Sequence, residues 1–332
     1  MSDLPKFRVF ISDVCQLNCK FCGGNQSSME SFQPYELNYK CNIEDIYQII
    51  QAYANNGGKD VQLTGGEPLL NANIIQIVKT IIGMGIRVEI NTNAIALTKE
   101  MATKLKEAGL KDIKVSLPAF DKEHYIEMTR HDYFEQVCKN IEIASQILNV
   151  RINTVATKES MQLLPKMFEF CKAMKIKNLA FLELCYYPEL ISKQYFMEQH
   201  VDFLTEHMPK LEALMHGTIQ KVGTRKDFIT PVYFIKDEEQ DFCVSYKCAK
   251  PVYRCDECVN CKTFCQEGLY QLRLSKGGYL NFCNYESHLG IDLHPLLGHQ
   301  EKLNDAFAKN SQKWSEIYMG DEREFFEKMG LN

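Results

Sequence analysis

The chain has 332 residues, 45% of them hydrophobic and 24% charged, with a formal net charge of -5. That composition belongs to a folded globular protein with room for one large core or two domains, and it excludes intrinsic disorder. It supplies no basic field of the kind that nucleic acid or an anionic membrane surface would require.

No apolar run approaches the roughly 20 residues that span a bilayer, and the opening MSDLPKFRVF has no hydrophobic signal core. A cytoplasmic location is expected, with neither a membrane nor a nucleic-acid partner. Short β-favouring runs then alternate with amphipathic stretches, which predicts βα units and a parallel sheet. In chain order the runs are a strand FRVFISDV (7–14), a helix IEDIYQIIQAYANN (43–56), a strand KDVQLT (59–64) and a helix ANIIQIVKTIIGMG (72–85). The strands RVEINT (87–92) and DIKVSL (112–117), the helix FEQVCKNIEIASQIL (134–148) and the strands RINTVA (151–156) and NLAFLEL (178–184) complete the series. Near residue 215 the alternation stops and a cysteine-rich segment begins. The expected organisation is a core of residues 1–214, a cysteine-rich domain of 215–296 and a helical tail of 297–332, rich in Lys and Glu. With six residues ahead of the first strand, no amino-terminal peptide-docking module is expected.

Fourteen cysteines in a chain without an export signal are better read as metal ligands or buried apolar residues than as disulfides. Cys41, Cys138, Cys171 and Cys185 are scattered singly. Cys15, Cys19 and Cys22, within CQLNCKFC, lie on one loop directly after the first strand, where ligands of an open parallel sheet gather. Three thiolates ligate three irons of a cubane and leave the fourth open to a substrate or cofactor, whereas zinc would want a fourth protein ligand nearby. After the second strand comes Thr64-Gly65-Gly66-Glu67-Pro68. Its glycines let the backbone approach a ligand closely, and its carboxylate can accept hydrogen bonds from an ammonium group.

CxxxCxxC followed by GGEP resembles the radical S-adenosylmethionine (SAM) superfamily over roughly residues 7–190. The resemblance implies a partial (β/α)6 barrel in which Cys15, Cys19 and Cys22 ligate a 4Fe-4S cluster and SAM chelates its fourth iron. It implies that Phe21 lies beside the adenine, that Gly65, Gly66 and Glu67 hold the methionine amine, and that Ser116 reaches the ribose or carboxylate of SAM. Asn153 and Cys185 are weaker candidates for the ribose and adenine. One electron, supplied by a partner such as flavodoxin or ferredoxin, would cleave SAM to methionine and a 5'-deoxyadenosyl radical that abstracts hydrogen from the substrate.

In the carboxy-terminal segment, Cys265 is followed by twelve residues, Gly278, four more residues and Cys283, with a hairpin predicted to turn at Lys276-Gly277-Gly278. This resembles the auxiliary-cluster hairpin of radical SAM enzymes with twitch or SPASM extensions. It implies a second 4Fe-4S cluster with ligands drawn from Cys255, Cys258, Cys261, Cys265 and Cys283. Cys243 and Cys248 stay open as ligands, as part of a separate zinc site, or as free thiols. The segments RVFISDVCQLNCKFC, VQLTGGEPLL, IKVSLPAFDKEHY, RINTVATK and LAFLELC are similar, in the same order, to the GTP 3',8-cyclase family of molybdenum-cofactor biosynthesis. Arg8, Thr92, Arg151 and Arg273 match its nucleotide-contacting positions. Gln62 and Gln271 stand where that family has arginine, and the chain ends in MGLN rather than Gly-Gly. Charge-assisted contacts contribute about 1.5–3 kcal/mol each, so a substrate other than GTP is expected, still small and nucleotide-, nucleoside- or sugar-like. The alternative is modification of a ribosomally made peptide, as in many twitch and SPASM proteins.

Overall fold

Alternation of apolar and polar residues decides the first strand: Phe7, Val9 and Ile11 are buried while Arg8, Phe10 and Ser12 are half-exposed on the other face. The computed structural model describes residues 4–22, 41–185, 193–215, 219–222, 232–237, 241–247, 253–256, 258, 271–275, 277–281, 283, 290–316 and 318–319.

The core strands are β1 (Phe7–Ser12), β2 (Asp60–Gly65), β3 (Arg87–Thr92), β4 (Asp112–Ser116), β5 (Asn149–Ala156) and β6 (Asn178–Glu183). Between them run α1 (Ile43–Asn55), α2 (Ile74–Gly83), α3 (Lys99–Glu107), α4 (Lys122–Thr129), α5 (Phe134–Ser145), α6 (Lys158–Gln162) and α7 (Leu164–Ala173). The six strands pair in parallel and in sequence, as crossover helices require. This is the expected mixed α/β fold, a partial barrel of βα units. The helix start is legible locally at α1. Asn42 accepts from the amides of Glu44 and Asp45 while Asp45 returns a bond to the Asn42 amide, so orphan donors are satisfied at both ends of the turn.

Further strands extend the sheet beyond those six. They are β7 (Ile219–Val222), β8 (Val232–Asp237), β9 (Phe242–Lys247), β11 (Leu272–Leu274), β12 (Tyr279–Asn281) and β13 (Ile291–Asp292), while β10 (Tyr253–Arg254) pairs separately with β14 (Tyr318–Met319). The order is β13-β12-β11-β1-β2-β3-β4-β5-β6-β9-β8-β7, so residues beyond 215 flank the parallel core at both edges. β9 runs parallel to β6 and β11 parallel to β1. The hairpin of β11 and β12 is antiparallel and turns through Gly278, as the sequence predicts; Lys276 lies outside the described residues. Phe242 and Val244 join the same apolar cluster as Ile113 and Ile152, which makes these added strands part of one core.

The tail helix α11 (Gln300–Glu316), preceded by α8 (Lys193–Gln199), α9 (Phe203–Glu206) and α10 (Met208–Met215), packs on α1. Phe307 meets Phe7 and Tyr53 edge-on, with centroids 5.7 and 6.1 Å apart. Burying a large apolar side chain of this kind contributes about 1.5–3 kcal/mol. The Tyr53 hydroxyl lies 2.9 Å from the Pro5 carbonyl and 3.0 Å from that of Asp60, tying the starts of β1 and β2 together. No described helix is long and apolar enough to cross a membrane.

Candidate functional site

The loop after β1 carries Cys15, Cys19 and Cys22, all half-exposed, on a backbone anchored from three sides. The Gly66 amide donates to the Ser12 carbonyl and the Glu67 amide to that of Val14, both at 2.7 Å, which prolongs the β1–β2 ladder into the loop. Asn71 Nδ2 donates to the Ile11 carbonyl at 2.6 Å. On the other side the amides of Asn18 and Lys20 donate to the carbonyls of Thr129 and Met128 at the end of α4, while Lys20 Nζ pairs with Glu127 at 2.7 Å. Leu17, 5% exposed, is the apolar anchor of the loop.

The thiols sense one another. Burial, then the charges of Cys22 and Cys15, push the Cys19 thiol up to about 12, with Arg130 acting in the opposite direction. Burial also raises Cys15, whose sulfur accepts from the Leu17 amide at 3.5 Å and from Asn93 Nδ2 at 3.6 Å. Thiolate ligation would relieve this mutual cost by exchanging protons for metal. Among the described residues, no three His, Cys, Asp or Glu side chains converge as a single-ion site demands. Three soft thiols on one loop, with no fourth protein donor among the described residues, are the set that fits three irons of a cubane.

The glycines of the second motif make room for the chain itself. A Cβ on Gly65 would lie 2.1 Å from the Ser12 carbonyl oxygen, and one on Gly66 would lie 2.5 Å from that of Val14. Glu67, 1% exposed, accepts from Thr92 Oγ1 at 2.6 Å, the Asn93 amide at 2.7 Å and the Leu69 amide at 3.0 Å. Burial raises its carboxyl, and those three donors counter the rise. The side chain therefore knots the ends of β2 and β3 beside the cysteine loop.

Ser116, at the carboxyl end of β4, is the register partner of Asn153, three residues before the end of β5, with Ser116 exposed and Asn153 half-buried. Half-buried Cys185, just past β6, has its sulfur 3.7 Å from the Glu183 carbonyl, and Phe21 is half-buried within the cysteine loop.

The sheet face opposite the apolar core carries the polar row. Arg8 Nε donates to Gln62 Oε1 and Gln62 Nε2 to Asn91 Oδ1, each at 3.1 Å. Arg273 stands in register beside Arg8, and Lys114 beside Arg151. Thr92 does not join this row. It is 2% exposed on the other face, and its hydroxyl is engaged by Glu67 and by the Ala94 amide. Two members of the row escape motif reading but not period-two reading: Glu89 and Lys114, which pair at 2.8 Å, with Lys6 on the same carboxylate.

Burial alone would push the Glu89 carboxyl up, but the Lys114 and Lys6 ammoniums outweigh it and hold it at about 2. A folded value below the ordinary 4.5 means a contribution present above that pH and lost as pH falls from 4.5 towards about 2. In denaturation curves across that window, the stability gap between wild type and Glu89→Gln is expected to shrink as pH falls. A gap independent of pH would contradict the network.

In the carboxy-terminal segment the Cys255 and Cys258 sulfurs lie 3.6 Å apart, and the Cys258 amide donates to the Cys255 carbonyl at 2.9 Å, a tight CxxC turn. Cys283 is buried at the end of the hairpin. Cys248, Cys261 and Cys265 lie outside the described residues. Asn93, which reaches the Cys15 sulfur, was legible only as a polar residue following a strand.

Residues 9–171 match the model of the radical SAM superfamily. The "Probable GTP 3',8-cyclase" of Sulfurisphaera tokodaii is 28% identical over 299 residues, covering 89% of this chain and 85% of that one. The "GTP 3',8-cyclase" of Vibrio vulnificus is 27% identical over 311 residues, covering 91% and 85%. Among solved structures, Streptococcus suis SuiB superposes with a TM-score of 0.60 at 16% identity over 90% of this chain, which spans 62% of SuiB. The structure described as native anSMEcpe with bound AdoMet and Kp18Cys peptide gives 0.58 at 12% identity, covering 90% of this chain and 80% of that one. Likenesses at that identity concern the fold.

Proposed function

This chain is a radical SAM enzyme, a family that implies a 4Fe-4S cluster and SAM, and we propose that its substrate is a small anionic metabolite bound on the polar face of the barrel. Cys15, Cys19 and Cys22 hold the cluster. When bound, the cluster and SAM supply reductive cleavage to a 5'-deoxyadenosyl radical, which takes a hydrogen atom from the substrate.

The chain's own residues position and shield. Asn93 and the Leu17 amide donate towards the Cys15 sulfur, and Glu67 locks the loop's neighbour strands so that Gly65 and Gly66 present their backbone beside SAM. Ser116 and Asn153 present side chains to the ribose or carboxylate, Phe21 lies along the adenine, and Cys185 borders it.

The observation that carries the substrate class is the unbalanced charge of the polar face. Glu89 answers Lys6 and Lys114, but among the described residues Arg8 bonds the neutral Gln62 amide and no carboxylate, and Arg151 has no hydrogen-bond or ion-pair partner. An unpaired cation at a ligand site calls for an anion. Gln62 in place of the arginine of the GTP 3',8-cyclases argues for a smaller charge than a triphosphate. Cys255, Cys258 and Cys283, with Cys265 or Cys261, form a second cluster site in the segment 215–296; the Cys255–Cys258 sulfur pair supports it.

The test is 5'-deoxyadenosine release by anaerobically reconstituted protein, screened over phosphorylated and carboxylated nucleosides and sugars and over peptides. Stimulation by a phosphorylated or carboxylated metabolite is expected, with Arg151→Ala raising its KM about tenfold, one charge-assisted contact. Stimulation by peptides alone, unaffected by Arg151→Ala, would overturn the substrate assignment and favour peptide modification.

A further inference from the structure

Lys114 occupies none of the motif positions, and its place inside the barrel follows from strand register. Asn91, Lys114 and Arg151 are partners on β3, β4 and β5, so their side chains leave the same face of three neighbouring strands. Neighbouring strands lie about 4.8 Å apart, within the reach of two long cationic side chains. Ser116 and Asn153, assigned to the ribose or carboxylate of SAM, stand two positions further along β4 and β5 on that same face. Two residues of strand rise about 6.6 Å, so Lys114 and Arg151 form the layer directly beneath.

The Lys114 ammonium leans back to Glu89, Nζ to Oε2 at 2.8 Å, and Lys6 reaches the same oxygen. Its side chain is only 14% exposed, yet among the described residues it spends one of its three N–H donors. Arg151, exposed on the adjacent strand, meets no acceptor among the described residues. One carboxylate shared by Lys6 and Lys114 leaves one positive charge over, and Arg151 adds a second. Of the other charges nearby on this face, Asp112 accepts from Asn149 at 2.6 Å and Arg8 donates to Gln62, and these two are opposite in sign. A carboxylate ligand would balance half of the surplus. A phosphate monoester carries about −1.5 to −2 near neutral pH and presents three acceptor oxygens, which matches both the charge and the spare donors. Burial, then the Lys6 charge, lower the Lys114 ammonium to about 8 against the opposing Glu89, and Arg151 adds to the fall. An anion held between the two cations relieves that repulsion.

Resting on the reading of a small anionic substrate, we propose that Lys114 is a further substrate-binding residue which, oriented by Glu89, grips a phosphate group of the substrate together with Arg151. Arg151 supplies a planar fork and Lys114 a point charge, so the two take different oxygens of one tetrahedral group. The site thereby selects phosphorylated over carboxylated metabolites.

The experiment titrates oxidised holoenzyme with SAM bound, a state without turnover, with inorganic phosphate and with acetate by isothermal calorimetry. Wild type is expected to bind phosphate at least about tenfold more tightly than acetate, and Lys114→Met to bind phosphate about tenfold more weakly than wild type. Lys114→Arg is expected to recover most of that loss. Lys114→Gln keeps a donor for Glu89 while losing the charge, which guards against misfolding around an unpaired carboxylate, and it is expected to weaken phosphate binding as Lys114→Met does. Lys104→Ala, which removes a surface lysine paired with Glu100 on α3, is expected to leave both affinities in place. Equal affinity for phosphate and acetate, phosphate binding that survives Lys114→Met and Lys114→Gln, or an equal loss in Lys104→Ala would overturn the proposal. Arg151→Ala separates this failure from one beneath it. Phosphate binding that depends on Arg151 and not on Lys114 would remove Lys114 alone, whereas anion binding that depends on neither, with 5'-deoxyadenosine release stimulated by peptides only, would overturn the small-anion reading itself.

Discussion

Replacing Cys15, Cys19 and Cys22 together by alanine is expected to abolish release of 5'-deoxyadenosine and to lower bound iron from about eight to about four per chain, with the fold intact. The separation of function from stability follows from where these side chains lie. All three are half-exposed on a loop whose attachment comes from backbone bonds to Ser12, Val14, Met128 and Thr129 and from buried Leu17. None of those contacts uses a cysteine side chain. Raised above their ordinary value, the Cys15 and Cys19 thiols stay protonated and uncharged in the metal-free protein, so removing them takes away little beyond the long sulfur contacts to the Leu17 amide and Asn93 Nδ2. Metal-free wild type and variant should therefore melt together and share a circular dichroism spectrum. Residual iron near four would belong to the Cys255–Cys258–Cys283 region. Full iron with retained SAM cleavage would remove the loop cysteines from the chemistry, and total iron near four in wild type with zinc in the variant would make the carboxy-terminal site structural.

Gly65→Ala is expected to be the most damaging Gly→Ala change among the described residues, costing about 3 kcal/mol or more through strain and a core-edge clash together. Gly65 has φ +144, a conformation closed to side chains. Its added Cβ would also lie 2.1 Å from the Ser12 carbonyl oxygen and 2.9 Å from the Ser12 amide nitrogen. These are backbone atoms at the end of β1, and they cannot rotate away. Relief requires β1 and β2 to separate where the Gly66–Ser12 bond now closes the ladder, which displaces the cysteine loop. Denaturant unfolding should show the loss of stability, and iron loading should fall with it. Gly66→Ala meets the Val14 backbone at 2.5 Å but has no positive φ, so a smaller loss is expected. Equal stability of Gly65→Ala and wild type would refute the reading of this glycine as space for the chain.

The strands and helices of the core were legible in the sequence because their signal is local and periodic. RVEINT and DIKVSL alternate between an apolar face and a polar one, and the structure retains both within one residue of the expected ends. The cysteine triplet and GGEP were legible because spacing along a chain restricts which groups can share a loop. The fate of each side chain within those motifs was another matter. Glu67 reads as a carboxylate able to accept from an ammonium group, and in the structure it already accepts from Thr92 at the end of β3, from the Asn93 amide just past it and from the Leu69 amide. Thr92 reads as a nucleotide contact and lies on the opposite face from Arg8 and Arg151, because the end of β3 turns its hydroxyl to Glu67.

By itself the sequence determined the βα periodicity, the polar and apolar faces of each strand, and the chemical identity of the loop thiols. Only the tertiary structure decided that strands from beyond residue 215 would complete both edges of the sheet, that Lys114 and Glu89 would meet across neighbouring strands, and that the carbonyls of Met128 and Thr129 would hold the cysteine loop. The division has a physical reason. Periodicity and spacing are properties of consecutive residues, set by backbone geometry and solvent. Strand neighbours and buried polar partners are pairings between distant segments, and register and packing select them only once the chain has folded.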